Sequence, residues 1–281
     1  MKVYIMTDME GVAGILDSDN WCQPHERSGF GRYYDLGREF LTREVNACID
    51  GLCRGGATDI VVSDGHGAGG IHPGLLDRRA KLLRGWPNGW PFELNASFDA
   101  VVWVGQHAKA GTIRAHLSHT QSFRYLDHAV NGVSIGEFGQ FALCAGELGV
   151  PCIFCSGDEA FCTEAMALAP GIITVSVKQG LRSDDGAGLT ASEYGRHNLG
   201  AIHLHPDVAR AAICDRARAA MARLKEEPES FGLVTLEPPY ERVTILRPEE
   251  QGQPRLIDRA QHPSSIIALM NLPYHYEPLE A

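Results

Sequence analysis

Residues 2–11 read KVYIMTDMEG, and the fold follows from how this stretch is taken. Residues 3–6 are a short unbroken apolar run, ended at once by Thr7 and then by two acids, Asp8 and Glu10. A run with no polar alternation fits a strand buried on both faces, and such strands belong to parallel sheets covered by helices. Four further runs of the same kind occur at residues 60–63, 101–104, 152–155 and 172–177. Helix-length stretches separate them. Within residues 38–52, Phe40, Leu41, Val45, Ile49 and Leu52 recur at helical spacing, and Gly55 and Gly56 follow as a stop signal. Residues 137–148 read as another helix. The expected fold class is α/β, a mostly parallel sheet flanked by helices. In that architecture ligands bind beyond the carboxyl ends of the strands.

Composition narrows the function. The chain has 281 residues, 44% hydrophobic and 21% charged, enough for one large domain with an elaboration. Its 25 Lys and Arg against 35 Asp and Glu give a net charge of -10, and no basic run tracks a phosphate backbone, so no nucleic-acid partner is expected. Thr7 and Asp8 cut the first apolar run short of a signal-peptide core, and nothing later is long enough for a bilayer span. A cytoplasmic protein without a membrane partner is expected. The eight cysteines read as reduced core thiols. Cys152 and Cys155 have C-x-x-C spacing but lie within a strand-like run, not at the helix start a redox pair requires. From residue 227 onward prolines recur every few residues, with short apolar runs at 243–246 and 266–270. The expected division is residues 1–226 as the α/β catalytic domain and 227–281 as a smaller C-terminal α/β lobe or interface arm.

Polar residues at the ends of the runs carry the chemistry. Asp8 and Glu10 follow the first run, Asp64 and His66 the second, His107 the third and Asp158 the fourth, while Glu137 opens a helix. Residues two apart on an extended chain point the same way, so Asp8 with Glu10, and Asp64 with His66, face one site. Each residue alone has an ordinary alternative: a helix cap or turn for the acids, a buried hydrogen-bonded imidazole for the histidines. Together, Asp8, Glu10, His66, His107 and Glu137 form a carboxylate and imidazole set suited to zinc. Five ligands exceed what one tetrahedral ion with an open position needs; two ions sharing Asp8 would use them all, as in a two-metal hydrolase. Asp64 fits an outer role, accepting a hydrogen bond that orients a ligand imidazole. Asp64 or Asp158 is a candidate to receive a substrate amino group, and Lys178 is a substrate-contact candidate or a solvated lysine. His25, His72, His128, His197, His203, His205, His262 and His275 sit in loop-like or polar settings, and most are expected to face solvent.

Two motifs compete. Gly65 to Gly70 satisfies the dinucleotide-binding pattern G-x-G-x-x-G after a strand, which would make the chain a nucleotide-dependent oxidoreductase. Pro73 and Gly74 follow where a helix should open, so the glycines are read as turning the backbone around His66. Gly132 to Gly136 satisfies the G-x-S-x-G of a serine hydrolase with Ser134 as nucleophile, completed by Asp158 and one of His197, His203 or His205. Asn131-Gly132, however, is a hairpin-turn signal that puts Ser134 on a strand.

In order, MTDMEGVAG, SDGHG, GQHAKAGT, LSHT and NGVSIGEFG resemble the DppA-like family of zinc-dependent D-aminopeptidases. The similarity runs from Met1 to about Val177, continues more weakly to about Leu224, and then fades. The resemblance implies two zinc ions per chain bridged by Asp8, with Glu10 and His107 completing one ion and His66 and Glu137 the other. It also implies His119 of LSHT as the catalytic imidazole, an aminopeptidase activity on short peptides with an N-terminal D-residue, and a homo-oligomer shaped as a ring-like decamer.

Overall fold

The computed structural model of the chain describes residues 1–24 and 31–280. In chain order the first half contains β1 (Lys2–Thr7), α1 (Ser18–Trp21), α2 (Tyr34–Gly55), β2 (Asp59–Asp64), β3 (Ala80–Leu83), β4 (Ala100–Gln106), β5 (Tyr125–Val130), β6 (Val133–Ser134) and α3 (Glu137–Glu147). The second half continues with β7 (Cys152–Asp158), α4 (Glu159–Leu168), β8 (Ile173–Gly180), α5 (Ala191–Gly195), β9 (Ala201–His203), α6 (Pro206–Glu226), β10 (Tyr240–Leu246), β11 (Leu256–His262), α7 (Ile266–Met270) and β12 (Glu277–Pro278).

The five apolar runs are the five central strands of one sheet, ordered β3-β2-β1-β4-β7-β8-β9. All its pairings are parallel except β8 with β9. The strands read as continuous apolar runs because both faces are covered. Val3 and Ile5 point into one core with Leu41, Val45 and Ile49 of α2 and Ile213 and Ala217 of α6. Tyr4 and Met6, one residue out of phase, point into the other with Phe138 and Phe141 of α3 and Phe161 of α4. Cys152 and Cys155 are buried within β7, and burial pushes the Cys152 thiol up to about 12, which is inert chemistry.

A second, antiparallel sheet has the order β12-β11-β10-β5-β6. Asn131 and Gly132 adopt positive φ and turn β5 into β6, as the Asn-Gly signal predicts. The C-terminal segment supplies β10, β11 and β12, and β10 pairs with β5, so this part of the fold is hydrogen-bonded into residues 125–130. Its buried centre is Arg242, which donates to Asp258 Oδ2 at 3.0 Å and to the carbonyls of Leu269 and Leu272, both at 3.1 Å. No helix among the described residues is long and apolar enough to cross a membrane.

Candidate metal centre

The strand order reverses at β1, which has β2 on one side and β4 on the other. Register places Thr7 opposite both Asp64 and Val104, so residues 8–10, 64–66 and 105–107 leave the sheet at the same edge. Such a switch point opens a crevice at the carboxyl ends of the strands. The chains after β1 and β4 then touch: the Asp8 N–H donates to Val104 O at 3.0 Å and Gly11 N–H to Gly105 O at 2.7 Å. Gly105 has φ +80, and a Cβ there would stand 2.1 Å from Asp8 O, so only glycine allows this approach.

The expected ligands converge. His66 Nδ1 lies 3.1 Å from Asp8 Oδ1 and 3.3 Å from Glu10 Oε2. His107 Nε2 lies 3.1 Å from Asp8 Oδ2 and 3.6 Å from Glu137 Oε1. Ligand atoms of Asp8, Glu10 and His66 lie within 4.8 Å of one another, as do those of His107, His119 and Glu137. Asp8 meets both imidazoles, so the five side chains form one continuous cluster. Glu10 turns toward the β2 side of the crevice, where His66 sits, and Glu137 enters from α3 on the β4 side.

The residues present fit a divalent cation. Among the described residues, buried Asp8 Oδ2, Glu10 Oε2 and His107 Nε2 make close contacts within the cluster but no well-aligned hydrogen bond, an arrangement a protein rarely keeps unless a ligand satisfies it. Burial pushes the Asp8 carboxyl up, but the adjacent His107 and His66 imidazoles outweigh this and hold it well below the usual range. Burial likewise pulls both imidazoles down, and is again overcome: the acids raise His66 well above its ordinary value and lift His107 to about 10. Three acids draw positive charge into a closed space, which zinc would supply with the same donor set.

His119 closes the second trio. Its ring stacks on His107 with centroids 3.8 Å apart, its Nδ1 is 2.8 Å from Leu117 O, and its Nε2 is 4.0 Å from Glu137 Oε1. Burial, then His107, pull its pKa down. His116 is elsewhere, with its ring edge-on to His203 at 5.4 Å. Glu137 is held in place by the Gln121 N–H at 2.7 Å and by Gln106 Nε2 at 3.2 Å, two contacts that sequence reasoning missed. Gln106 adjoins His107 at the end of β4, a position from which its role was legible.

Asp64, Asp158 and Lys178 are buried around the centre, and none of the three lines its cavity. Asp64 accepts from the Gly70 N–H at 2.8 Å and the Ile71 N–H at 3.3 Å, tying down the loop that carries His66 instead of the imidazole itself. Asp158 caps α4 through the Phe161 N–H at 2.7 Å and accepts from the His116 N–H at 2.8 Å. Lys178, read as a solvated lysine or a substrate contact, is enclosed instead: its Nζ donates to Glu10 O, and burial lowers its pKa to about 8. The other histidines are mixed. His128 is buried against Thr244 Oγ1 at 3.0 Å, contrary to the solvent-facing expectation, and His25 lies outside the described residues.

Neither competing motif survives. No helix follows Gly65 to Gly70; the chain runs through turns into β3. Ser134 lies in β6 with its hydroxyl 2.5 Å from Asp127 Oδ1, while Asp158 caps α4, so no triad forms.

A sequence profile described as D-aminopeptidase matches residues 1–253. The chain belongs to the D-aminopeptidase family. A curated relative, the D-aminopeptidase of Bacillus subtilis strain 168, is 32% identical over 184 residues, which cover 64% of this chain and 64% of that protein. Among solved structures, the chain is similar to one described as the Zn-dependent D-aminopeptidase DppA from Bacillus subtilis, a self-compartmentalizing protease. That likeness has a TM-score of 0.76 at 23% identity, covers 96% of this chain and 94% of the other, and establishes the α/β fold.

Proposed function

We propose that this family member is a zinc-dependent aminopeptidase that removes an N-terminal D-residue from short peptides. The observation that carries the reading is the convergence of Glu10, His66, His107 and Glu137 around Asp8, whose two carboxylate oxygens face different imidazoles. Asp8, Glu10, His66, His107 and Glu137 would together hold two zinc ions, with Asp8 shared between them. Zinc, when bound, supplies Lewis acidity toward the peptide carbonyl and toward water.

The chain's own groups do the rest. Donation of Nδ1–H to Leu117 O fixes the His119 tautomer and leaves the Nε2 lone pair toward the centre, where it takes and returns a proton at neutral pH. Glu137, oriented by Gln106 and Gln121, holds its carboxylate between His107 and His119. A cavity of about 490 Å³ opens on Asp8, Glu10, His66, His119 and Glu137 and is large enough for a short peptide end.

The reading extends to assembly and setting. A homo-oligomer, ring-shaped and decameric, is proposed in keeping with the solved relative's description as self-compartmentalizing. Eight free cysteines accord with a reducing, cytoplasmic compartment. Matched D- and L-aminoacyl dipeptides assayed with chelator and with added zinc test the activity. Cleavage of the D-series alone, lost with chelator and restored by zinc, is expected; chelator-insensitive cleavage refutes the reading.

A further inference from the structure

The candidate metal ligands are only part of the lining of their cavity. The lining also carries five aromatic rings: Trp86, Trp90, Phe92, Trp103 and Phe123 share the space with Asp8, Glu10, His119 and several small or polar residues. Of the chain's four tryptophans, three face this one cavity, so its composition is far from that of an average surface. Trp86 and Trp90 each pack on Phe92, with ring centroids 4.7 and 4.4 Å apart, and Phe92 stacks in turn on Phe141 of α3 at 6.3 Å.

This wall is anchored at several points. Tyr4 of β1 donates its hydroxyl to Phe92 O at 2.6 Å, and Trp86 Nε1 donates to Ser63 Oγ at 3.1 Å. Arg84, at the start of the segment, donates to the carbonyls of Asp64 and His66 at 3.0 and 2.9 Å, which couples the wall to the loop that carries His66. Asn271, the C-cap of α7, clamps Trp90 from both sides of its backbone: Oδ1 accepts the Trp90 N–H at 3.0 Å and Nδ2 donates to Trp90 O at 2.9 Å. Asn271 lies beyond residue 253, where the family match ends, so this clamp is built by a part of the chain that the match leaves out.

We infer that the chain favours substrates whose N-terminal residue has a large apolar, above all aromatic, side chain seated against the Trp86-Trp90-Phe92 wall, with Asn271 as a positioning residue for that wall. The inference rests on the aminopeptidase reading above and names its substrate class. Aromatic rings prefer offset or edge-on contact with other rings, and the wall lines the same cavity as the metal ligands. A cavity of about 490 Å³ fits such a group, whereas a methyl side chain would leave the rings wetted.

D-phenylalaninamide and D-alaninamide distinguish the two cases on the zinc-loaded full chain, by ammonia release and by quenching of tryptophan fluorescence on binding. The expected kcat/KM ratio favours D-phenylalaninamide about tenfold or more, mainly through KM, the range in which apolar pockets discriminate. Trp90→Ala and Asn271→Ala each reduce that ratio several-fold, and Trp90→Phe restores it; zinc content measured on every variant separates loss of the wall from loss of the centre. Equal or better turnover of D-alaninamide by the unaltered chain, or a ratio unmoved by Trp90→Ala, overturns the inference alone. Absence of turnover for any amide strikes the aminopeptidase reading, and the fluorescence titrations then decide this one: tighter aromatic binding lost in Trp90→Ala upholds the wall, and equal affinities refute it.

Discussion

Two buried side chains, His119 and Glu44, have separate consequences, one for chemistry and one for stability. His119 touches the centre through Nε2 while its Nδ1 is committed to Leu117 O, so His119→Ala removes a proton carrier without removing Asp8, Glu10, His66 or His107. Zinc content is expected to hold near the wild-type value while kcat falls by roughly 10²–10⁴; unchanged turnover would strip His119 of its role. Glu44 is enclosed in the core of α2, where burial pushes its carboxyl up from 4.5 to about 7 against the opposing pull of the Ala13 N–H and Lys178. Folded protein therefore holds this proton to higher pH than unfolded protein, so stability falls as pH rises from 4.5 to about 7, and the cost persists above that. Glu44→Gln keeps an acceptor for Ala13 and is expected to stabilise on the order of 2 kcal/mol at pH 8 with little gain at pH 5. Thermal unfolding at both pH values checks it, and equal shifts would contradict the burial argument. At this scale Asp8, Glu10, His66, His107 and Glu137 were legible because each follows an apolar run or opens a helix. Lys178 was misread because nothing local reports that β8 delivers its side chain beneath Glu10, and Trp86 and Trp90 gave no local sign of facing the metal ligands.

Among the elements, the parallel strands were readable and several edge pieces were not. Two-sided burial leaves a local trace, an unbroken apolar run, which is why β1, β2, β4, β7 and β8 stand out. β3 is an edge strand with its four residues half-buried or exposed, and β9 spans only three residues, so neither imposes a pattern. β11 reads LIDRAQH, and its partnership with β10, and that of β10 with β5 more than 100 residues earlier, is non-local. What locks this sheet is Arg242, fully buried, paired with Asp258 and lying over the Tyr274 ring at 3.8 Å. Removing one member of a buried pair strands the other, so Arg242→Met is expected to cost about 3–5 kcal/mol in denaturant unfolding. The double variant Arg242→Met with Asp258→Leu should recover part of that; no recovery would mean that the carbonyls of Leu269 and Leu272, not Asp258, dominate.

For the molecule as a whole, the open edge of the parallel sheet bears on assembly. Among the described residues β9 pairs only with β8, and Leu181, Ile202 and Val208 are 56%, 62% and 55% exposed. An unpaired edge with large apolar side chains is a surface that a second copy can cover. Light scattering after gel filtration is expected to give a homo-oligomer, and Ile202→Asp to shift it toward smaller species; a monomeric wild-type chain would contradict the proposed assembly. The central claim, that distant segments form one cage around a zinc pair shared by Asp8, is tested most directly by the zinc bound per chain in wild type and in Asp8→Asn. About two zinc ions per chain are expected for the wild type, with most of that lost in the variant while the fold, followed by circular dichroism, is kept. Zinc content unaffected by Asp8→Asn would contradict the account.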